Sequence, residues 1–290
     1  MQLALSNSIT TPEYCEESAY ATKYASFNGT NSKALTNSLN RVPSLLEGGT
    51  GTIGDNVTIA MWVKATWEVP DSPADADPNV IPIFMLGSGT DVHESFRCYY
   101  FIEDSSATNK NDLVIEIRSS TPSNARNIEF MRLHSNSSLT GSTSSTHSNM
   151  WRAGNSNINT NADGFVHIAF TRGTGDWSVY WNGQAAGTLI DSDSGTLAST
   201  QGDYDSFSLG YWEYSDFYGK LGMRDFAIWS SELSSGDIET LYNSGVMADY
   251  QTLISSNPLV YYPLQEDGNN VASGLLPVNF TLSNVTFDNI

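Results

Sequence analysis

The chain has 290 residues, with 13 Lys and Arg against 32 Asp and Glu, which gives a formal net charge of −19 at pH 7. This balance excludes a nucleic-acid-binding protein, because phosphate recognition needs clustered basic side chains. It also argues against docking to anionic membranes. Ser, Thr and Asn supply much of the polar surface, as in SNSSLTGSTSSTHSN (135–149). The length allows one large β domain or two ordinary ones, and a single domain this long can bury a large core.

The two cysteines are Cys15 and Cys98. They could pair in one disulfide, but we favour a buried free thiol at Cys98, because its predicted strand places it on the same face as Phe96 and Tyr100. The first residues, MQLALSNSITTPEYCEES, lack the basic start and long apolar run of a secretory signal. No segment approaches the ~20 apolar residues of a membrane span.

Short segments with alternating apolar residues recur along the chain, separated by turns rich in Gly, Ser and Asn. In chain order they are NVTIAMWVKA (56–65), VIPIFMLGSG (80–89), SFRCYYFIED (95–104), NDLVIEIRSS (111–120), IEFMRLH (128–134), GFVHIAFTR (164–172), DWSVYWNGQAAG (176–187), SFSLGYW (206–212) and KLGMRDFAIW (220–229). The third and fourth segments are predicted to form a hairpin, and so are the sixth and seventh. This pattern predicts an all-β sandwich.

One helix is predicted after the last of these strands, in SSGDIETLYNSG. Ser234 is suited to the N-cap position, and Asp237 completes a capping box. Ile238 and Leu241 lie on one apolar stripe, and Gly245 fits the left-handed residue that ends a helix. Because such a short helix is marginal alone, we expect it to pack on the sandwich.

Four phrases in order resemble a known family. They are YASFNGTNSKAL (24–35), NVTIAMWVKA, GFVHIAFTRGTGDWSVYWNGQAAGTL and GKLGMRDFAIWSSELSSGDIETLYNSG. They look like the opening strand, the W-V-K strand, the W-H-H-V-A … Y-V-N-G hairpin and the closing strand-plus-helix of concanavalin A-like, laminin-G-like jelly rolls. The resemblance covers most of residues 20–245. It implies a two-sheet antiparallel jelly-roll sandwich with one short C-terminal-side helix, and it speaks much less to function.

The segment NPLVYYPLQEDGNNVASGLLPVNFTLSNVTF (257–287) follows the helix. It looks like the family's first strand and its continuation, at the other end of the chain. It could begin a second repeat, but we expect it to fold back as extra strands, because a lone strand pair cannot bury its apolar face. The predicted organisation is an N-terminal arm at 1–19, the sandwich at 20–250 and a C-terminal β extension packed on the sandwich at 251–290.

No catalytic pattern is recognisable. Hydrolases on related sandwiches use two carboxylates from one strand, one protonated and one ionised, whereas Glu116 is isolated and is interpreted as a solvent-facing charge. The four histidines, His93, His134, His147 and His167, show no zinc spacing, and His167 is expected to be packed and hydrogen-bonded. No Gly-x-Ser-x-Gly elbow is present. The sequence predicts that the chain is not an enzyme.

Three acidic loops have the composition of a calcium site, which needs several oxygen ligands. The resemblance points to calcium as a cofactor, since related lectin-like sandwiches often carry one at loop ends. We favour solvated loops over a metal, because turns attract Asp for other reasons. The metal candidates are Asp71, Asp75, Asp77, Asp191, Asp193, Asp203 and Asp205.

Aromatic residues crowd the turn LGYWEYSDFYGK (209–220), where family members usually have Gly and Ser. An exposed aromatic face beside polar groups is typical of a sugar site. Packing on neighbouring strands and a protein interface are the alternatives, and together we favour them. The carbohydrate or interface candidates are Tyr211, Trp212, Tyr214, Phe217 and Tyr218.

The leading hypothesis is a non-catalytic structural or adhesive protein on a virion surface. Lam-G-like sandwiches with a strand-like tail after the helix resemble modules of phage capsid-decorating, tail and fibre proteins. The expected partners are other virion proteins or further copies of the chain. One alternative is a calcium-assisted carbohydrate-binding module that recognises cell-surface glycans outside the cell. The other is a glycoside hydrolase or lyase, against which the missing carboxylate pair weighs.

Overall fold

The structure is a computed structural model, and strands dominate the part of the chain that it describes. The described residues are 23–36, 56–67, 80–87, 95–102, 111–120, 126–134, 160–173, 178–188, 191–192, 206–212, 216–269, 271–272 and 279–290. The strands are β1 (Lys23–Asn28), β2 (Lys33–Thr36), β3 (Val57–Ala65), β4 (Val80–Gly87), β5 (Ser95–Ile102), β6 (Asn111–Ser120), β7 (Arg126–His134), β8 (Val166–Arg172), β9 (Ser178–Trp181), β10 (Gln184–Thr188), β11 (Asp191–Ser192), β12 (Ser206–Leu209), β13 (Tyr211–Trp212), β14 (Phe217–Tyr218), β15 (Lys220–Trp229), β16 (Val260–Tyr262), β17 (Thr281–Ser283) and β18 (Thr286–Asn289). The helices are α1 (Ser235–Tyr242) and α2 (Tyr250–Leu253), and a 3-10 turn (Asn243–Gly245) follows α1.

Within these residues the strands form two eight-stranded antiparallel sheets. Sheet A has the order β10-β9-β8-β3-β15-β1-β18, with β16 also paired to β15. Sheet B has the order β11-β7-β6-β5-β4-β12-β2-β17, and β13 pairs only with β14. The predicted β5–β6 and β8–β9 hairpins are both present. The predicted two-sheet antiparallel jelly-roll sandwich is therefore confirmed.

The main core lies between the two sheets. Alternation in β3 sends Val57, Ile59, Met61 and Val63 into this core, and all four are buried. In β5 the same alternation buries Cys98, a free thiol whose pKa is raised by burial. The buried-thiol interpretation of Cys98 is confirmed.

The opposite face of sheet A, which points away from sheet B, carries a second apolar layer. Trp62 and Trp229 lie in this layer and pack with Ile238 and Leu241 of α1. We call residues 233–254, which lie over this face, the helical cover. Because the central strands of sheet A are buried on both faces, they are almost continuously apolar.

The ends of α1 are determined by local hydrogen bonds. The Ser234 side chain accepts from the Asp237 N–H at 3.1 Å, and Asp237 Oδ2 accepts from the Ser234 N–H at 3.1 Å, so the predicted capping box is confirmed. The left-handed residue that ends the helix is Asn243, with φ 47°, and not Gly245 as predicted. Asn tolerates this conformation because its short amide side chain can hydrogen-bond locally; here Nδ2 donates to the Val246 carbonyl.

The two ends of the described chain lie side by side. β1 and β2 are consecutive but belong to different sheets, and β18 and β17 pair with them in sheets A and B. The turn between β17 and β18 contacts the turn between β1 and β2, where Asn284 Nδ2 donates to the Asn31 carbonyl at 3.2 Å. Phe280, just before β17, packs against Phe207 and Tyr262 in the main core.

Replacing Thr58 by Val should destabilise the junction between β3 and the helical cover. The buried Thr58 Oγ1 donates to the Ser231 carbonyl at 2.8 Å and accepts from the Leu233 N–H at 2.9 Å. Losing both bonds is expected to cost about 1–3 kcal/mol of the free energy of unfolding, measured with urea. The matched control is Thr240→Val on the exposed face of α1, which should change stability by about 0.5 kcal/mol or less. If Thr58→Val and Thr240→Val lowered the free energy of unfolding equally, the stabilising role of the two Thr58 hydrogen bonds would be contradicted.

Replacing Phe280 by Ala should destabilise the whole sandwich by about 3–5 kcal/mol, because it leaves a cavity beside Phe207 and Tyr262. The control is Val271→Ala, at a side chain that is 46% exposed. Urea unfolding followed by tryptophan fluorescence should show one shifted transition. If only residues 279–290 detached while the main transition kept its midpoint, the C-terminal strands would not be part of the cooperative unit.

Candidate functional site

The predicted aromatic candidates come together in one two-stranded hairpin, which we call the aromatic hairpin. Its strands are β13 and β14, with Tyr211 opposite Tyr218 and Trp212 opposite Phe217. Tyr214 lies outside the described residues. Four of the five aromatic candidates are therefore neighbours, which the sequence pattern alone did not establish.

Two glycines bring the aromatic hairpin close to β4. The Gly210 N–H donates to the Ile83 carbonyl at 2.9 Å, and the Gly219 N–H donates to the Gly210 carbonyl at 2.7 Å. A Cβ atom on Gly219 would lie 2.3 Å from the Pro82 carbonyl oxygen, and Gly210 has φ 64°. Only glycine fits both requirements, so the hairpin is held against sheet B by its own backbone.

Trp212 lies on a platform made by β5. Alternation places Arg97 and Tyr99 on the face of sheet B away from the core. The Arg97 guanidinium lies 3.9 Å from the centroid of the Trp212 ring, and Tyr99 stacks at 5.8 Å. Phe217 contacts the same ring edge-on at 5.7 Å. Burial lowers the pKa of Arg97 to about 10, while Tyr99 acts in the opposite direction, so the guanidinium is charged at neutral pH and can make a cation–π contact.

The other end of the aromatic hairpin is held by polar contacts. The Tyr211 hydroxyl donates to Asp216 Oδ1 at 2.7 Å, and the Lys33 ammonium lies 4.3 Å from the centroid of the Tyr211 ring. Tyr211 itself is buried, whereas Trp212, Phe217 and Tyr218 are half-buried. The hairpin is therefore a fixed aromatic surface feature that packs on neighbouring strands and leaves part of three rings accessible to solvent.

Of the predicted metal ligands, Asp191 lies among the described residues. Asp191 belongs to β11, where it lies opposite Phe130 of β7. The other acidic candidates, Asp71, Asp75, Asp77, Asp193, Asp203 and Asp205, lie outside the described residues. Within the described part of the chain, no group of three or more His, Cys, Asp or Glu side chains could hold a metal ion.

A buried carboxylate that the sequence analysis missed lies in the middle of β15. Asp225 has φ 53° at a register shift, and Oδ1 accepts from the Tyr261 hydroxyl at 2.6 Å. Oδ2 accepts from Arg224 Nε at 2.8 Å. Burial raises the pKa of Asp225 to about 6, opposed by the charge of Arg224 and by both hydrogen bonds. Nothing in the letters RD within a strand signals a positive φ or a buried ion pair.

The environment of Asp225 excludes it from contact with a substrate. Its pKa is in the range that suits a general acid at neutral pH, but the side chain is 0% exposed and both oxygens accept hydrogen bonds within the protein. The carboxyl group therefore serves as an internal partner of Arg224 and Tyr261.

His167 is packed, as predicted, but its expected hydrogen bonds are absent. The ring is 0% exposed, and neither nitrogen has a hydrogen-bond partner among the described residues. Burial lowers the pKa of His167 to about 3. The prediction failed because the described residues that pack on the imidazole are aromatic rings, and none of their polar atoms forms a hydrogen bond with it.

No helix in the described part of the chain is long and apolar enough to cross a membrane.

Three solved structures illustrate the similarity of this chain to known folds. A proposed carbohydrate-binding protein from Bacteroides ovatus shares 15% identity over 93% of this chain and 60% of its own, with a TM-score of 0.47. The binding domain of botulinum neurotoxin serotype D shares 15% identity over 76% of this chain and 42% of its own, with a TM-score of 0.45. A heptameric SAP-like pentraxin from Limulus polyphemus shares 13% identity over 91% of this chain and 95% of its own, with a TM-score of 0.43.

These similarities support no functional conclusion, because the identities and TM-scores are low. The chain spans less than two thirds of the Bacteroides ovatus and botulinum neurotoxin chains, 60% and 42% respectively. Comparison with curated proteins finds no match.

A family model gives the more direct relationship. The model described as concanavalin A-like lectin/glucanases superfamily matches residues 90–239, which is just over half of the 290-residue chain. The matched region begins shortly before β5 and ends within α1, and it includes the aromatic hairpin and Asp225. The chain belongs to the concanavalin A-like lectin/glucanases superfamily.

Proposed function

We propose that the chain is a non-catalytic structural and adhesive protein of a virus particle, as a capsid-decoration, tail or fibre component. In this proposal the sandwich is a rigid block, and it docks on other virion proteins or on further copies of itself. The observation that supports the proposal best is the position of β17 and β18. These two strands, which we call the terminal border, end both sheets at the same side of the sandwich.

The terminal border has the properties of a docking edge. Among the described residues, β18 is the last strand of sheet A and β17 the last strand of sheet B. Their outer backbone groups face no further strand of the described chain, and exposed edges of this kind accept a strand from a partner. The side chains of Thr281, Thr286, Asp288 and Asn289 are exposed and polar, which suits a contact that forms between separately folded proteins.

The burial of Asp225 supports the non-catalytic part of the proposal. The superfamily contains both lectins and glucanases, so the fold does not decide between binding and hydrolysis. The buried Asp225 carboxyl is unable to reach a polysaccharide, because Arg224 and Tyr261 occupy both of its oxygens. The exposed edge strands β17 and β18 support a role in binding to another protein.

Adding positive charge to the terminal border should weaken docking without unfolding the chain. We expect the double variant Thr286→Lys, Asn289→Lys to reduce cosedimentation with purified particles, or self-association in analytical ultracentrifugation, at least tenfold, because edge lysines disfavour strand addition. The control is Ser230→Lys, Thr240→Lys, which adds the same charge at exposed sites away from the border. Equal effects of both variants, or a monomer that never associates with particles, would contradict the proposal.

The second candidate is a carbohydrate-binding module that uses the aromatic hairpin. The specific observation in its favour is that Trp212, Phe217 and Tyr218 are partly accessible, with Arg97 packed against the Trp212 ring and Phe217 contacting the same ring. The exposed carboxylate of Asp216 lies at the same hairpin. Aromatic faces beside hydrogen-bonding groups are suited to sugar rings, and the two functions are compatible in one adhesive protein.

A glycan array probed with calcium and with a chelator tests this second candidate. We expect Tyr218→Ala to lower the signal for any bound glycan at least tenfold with little change in stability, since Tyr218 is half-buried. The matched control is Phe287→Ala, at a half-buried aromatic residue in β18, and it should bind normally. A signal lost with the chelator would support calcium at the acidic loops. No signal in either condition would remove this candidate.

A further inference from the structure

His167 occupies the interface between sheet A and the helical cover. It lies in β8 directly opposite Trp62 of β3, on the face that the cover buries. Its ring centroid is 5.0 Å from that of Trp62, 6.2 Å from that of Tyr242 and 5.9 Å from that of Tyr250. One side of the histidine therefore contacts the sheet, and the other contacts both helices of the cover.

The polar atoms in this aromatic cluster are poorly satisfied. His167 Nδ1 and Nε2, Trp62 Nε1 and the Tyr250 hydroxyl are buried and have no hydrogen-bond partner among the described residues. A neutral imidazole offers one donor and one acceptor, whereas an imidazolium offers two donors and a full charge. An imidazolium in this position would have no hydrogen-bond acceptor among the described residues, so the closed arrangement favours the neutral form.

The charged groups around the cluster do not compensate an imidazolium. Arg224 lies opposite Trp62 on the neighbouring strand β15, and its nearest carboxylate, Asp225, is bound to it. As Asp225 takes up a proton below pH 6, it no longer balances Arg224, and the positive charge near the cluster grows. The titratable or charged groups on the strands and helices around His167 are Lys64, Arg172, Tyr180, Lys220, Arg224, Asp225, Asp237, Glu239, Tyr242, Asp249, Tyr250, Tyr261 and Tyr262.

The helical cover is the part of this interface that is easier to move. His167 is held in its strand by Asn182, whose Oδ1 accepts from the His167 N–H at 3.0 Å and whose N–H donates to the His167 carbonyl at 2.8 Å. The cover consists of helices of eight and four residues, which are unstable without tertiary contacts. Local opening of such a segment costs less than separating strands of a buried sheet.

We propose that His167 is a pH-dependent contact that holds the helical cover on sheet A when neutral and releases it when protonated. Release would expose the aromatic face formed by Trp62, Trp229 and Tyr261, while the core between the two sheets stays intact. Protonation of His167 and protonation of Asp225 have opposite effects on the stability of the folded state. The low pKa of His167 contributes stability to the closed cover above about pH 6.5, and this stability is lost as the pH falls toward 3. The raised pKa of Asp225 favours the folded state as the pH falls from 6 to about 4.

Hydrogen exchange measured by mass spectrometry on the full chain between pH 7 and pH 4.5 tests the proposal. After correction for intrinsic exchange rates, we expect the equilibrium constant for opening of residues 235–253 to increase about tenfold for each unit by which the pH falls below 6. Amides of β3, β8 and β15 should remain protected. His167→Phe, which keeps an aromatic ring but cannot be charged, should remove this pH dependence.

Two further variants make the result decisive. His167→Gln keeps a neutral polar side chain, and it replaces the Phe variant if that variant does not fold; it should also remove the pH dependence. Asp225→Asn removes the opposing titration and should leave the pH dependence of the cover in place. The proposal is overturned if the His167 variants open with the same pH dependence as the natural chain. The proposal is also overturned if the pH dependence of exchange in the helical cover disappears in Asp225→Asn. The same holds if the amides of sheet A lose protection together with those of the helical cover.

Discussion

The buried Asp225 carboxylate determines how the chain is arranged around the central strand of sheet A. On one side of β15, Lys220–Met223 pairs with β1, whereas Phe226–Ile228 pairs with β16, and Asp225 lies between these two stretches. A buried charge is costly unless it is paired and hydrogen-bonded, so Arg224 and Tyr261 have to remain in contact with it. Tyr261 belongs to β16, which ties the segment after the helical cover to the middle of the sheet.

The hydrogen bond between Asp225 and Tyr261 links β16 to β15, and so bears on the helical cover before β16 and on the terminal border after it. With β16 fixed, the chain before it forms a cover over one face of sheet A, and the chain after it returns to the edge of both sheets as the terminal border. The chain therefore presents a packed sandwich with polar edge strands on one side and an aromatic hairpin on sheet B. Both are surface features carried by a rigid scaffold, which is consistent with docking and adhesion and requires no reacting group.

The sequence predicted the features that depend on neighbouring residues and missed those that depend on distant ones. Alternation predicts the faces of β3 and β5, and the spacing of Ser234 and Asp237 predicts the capping box, because these signals are local. The stacking of Trp212 on Arg97 depends on how β13 lies on β5, which no short pattern encodes. The bulge at Asp225 arises where several strands meet, and the His167 nitrogens lack a hydrogen-bond partner among the described residues where sheet A meets the helical cover, so only the assembled fold shows these two features.

Electron cryomicroscopy of the particles with which the chain is proposed to associate is the most direct test of the proposed role as a docked, non-catalytic block. Symmetric copies should contact a neighbouring protein through β17 and β18, and the face around Asp225 should be filled by the chain itself. A solitary chain with a saccharide bound between two acidic side chains, and with the terminal border open to solvent, would contradict this role.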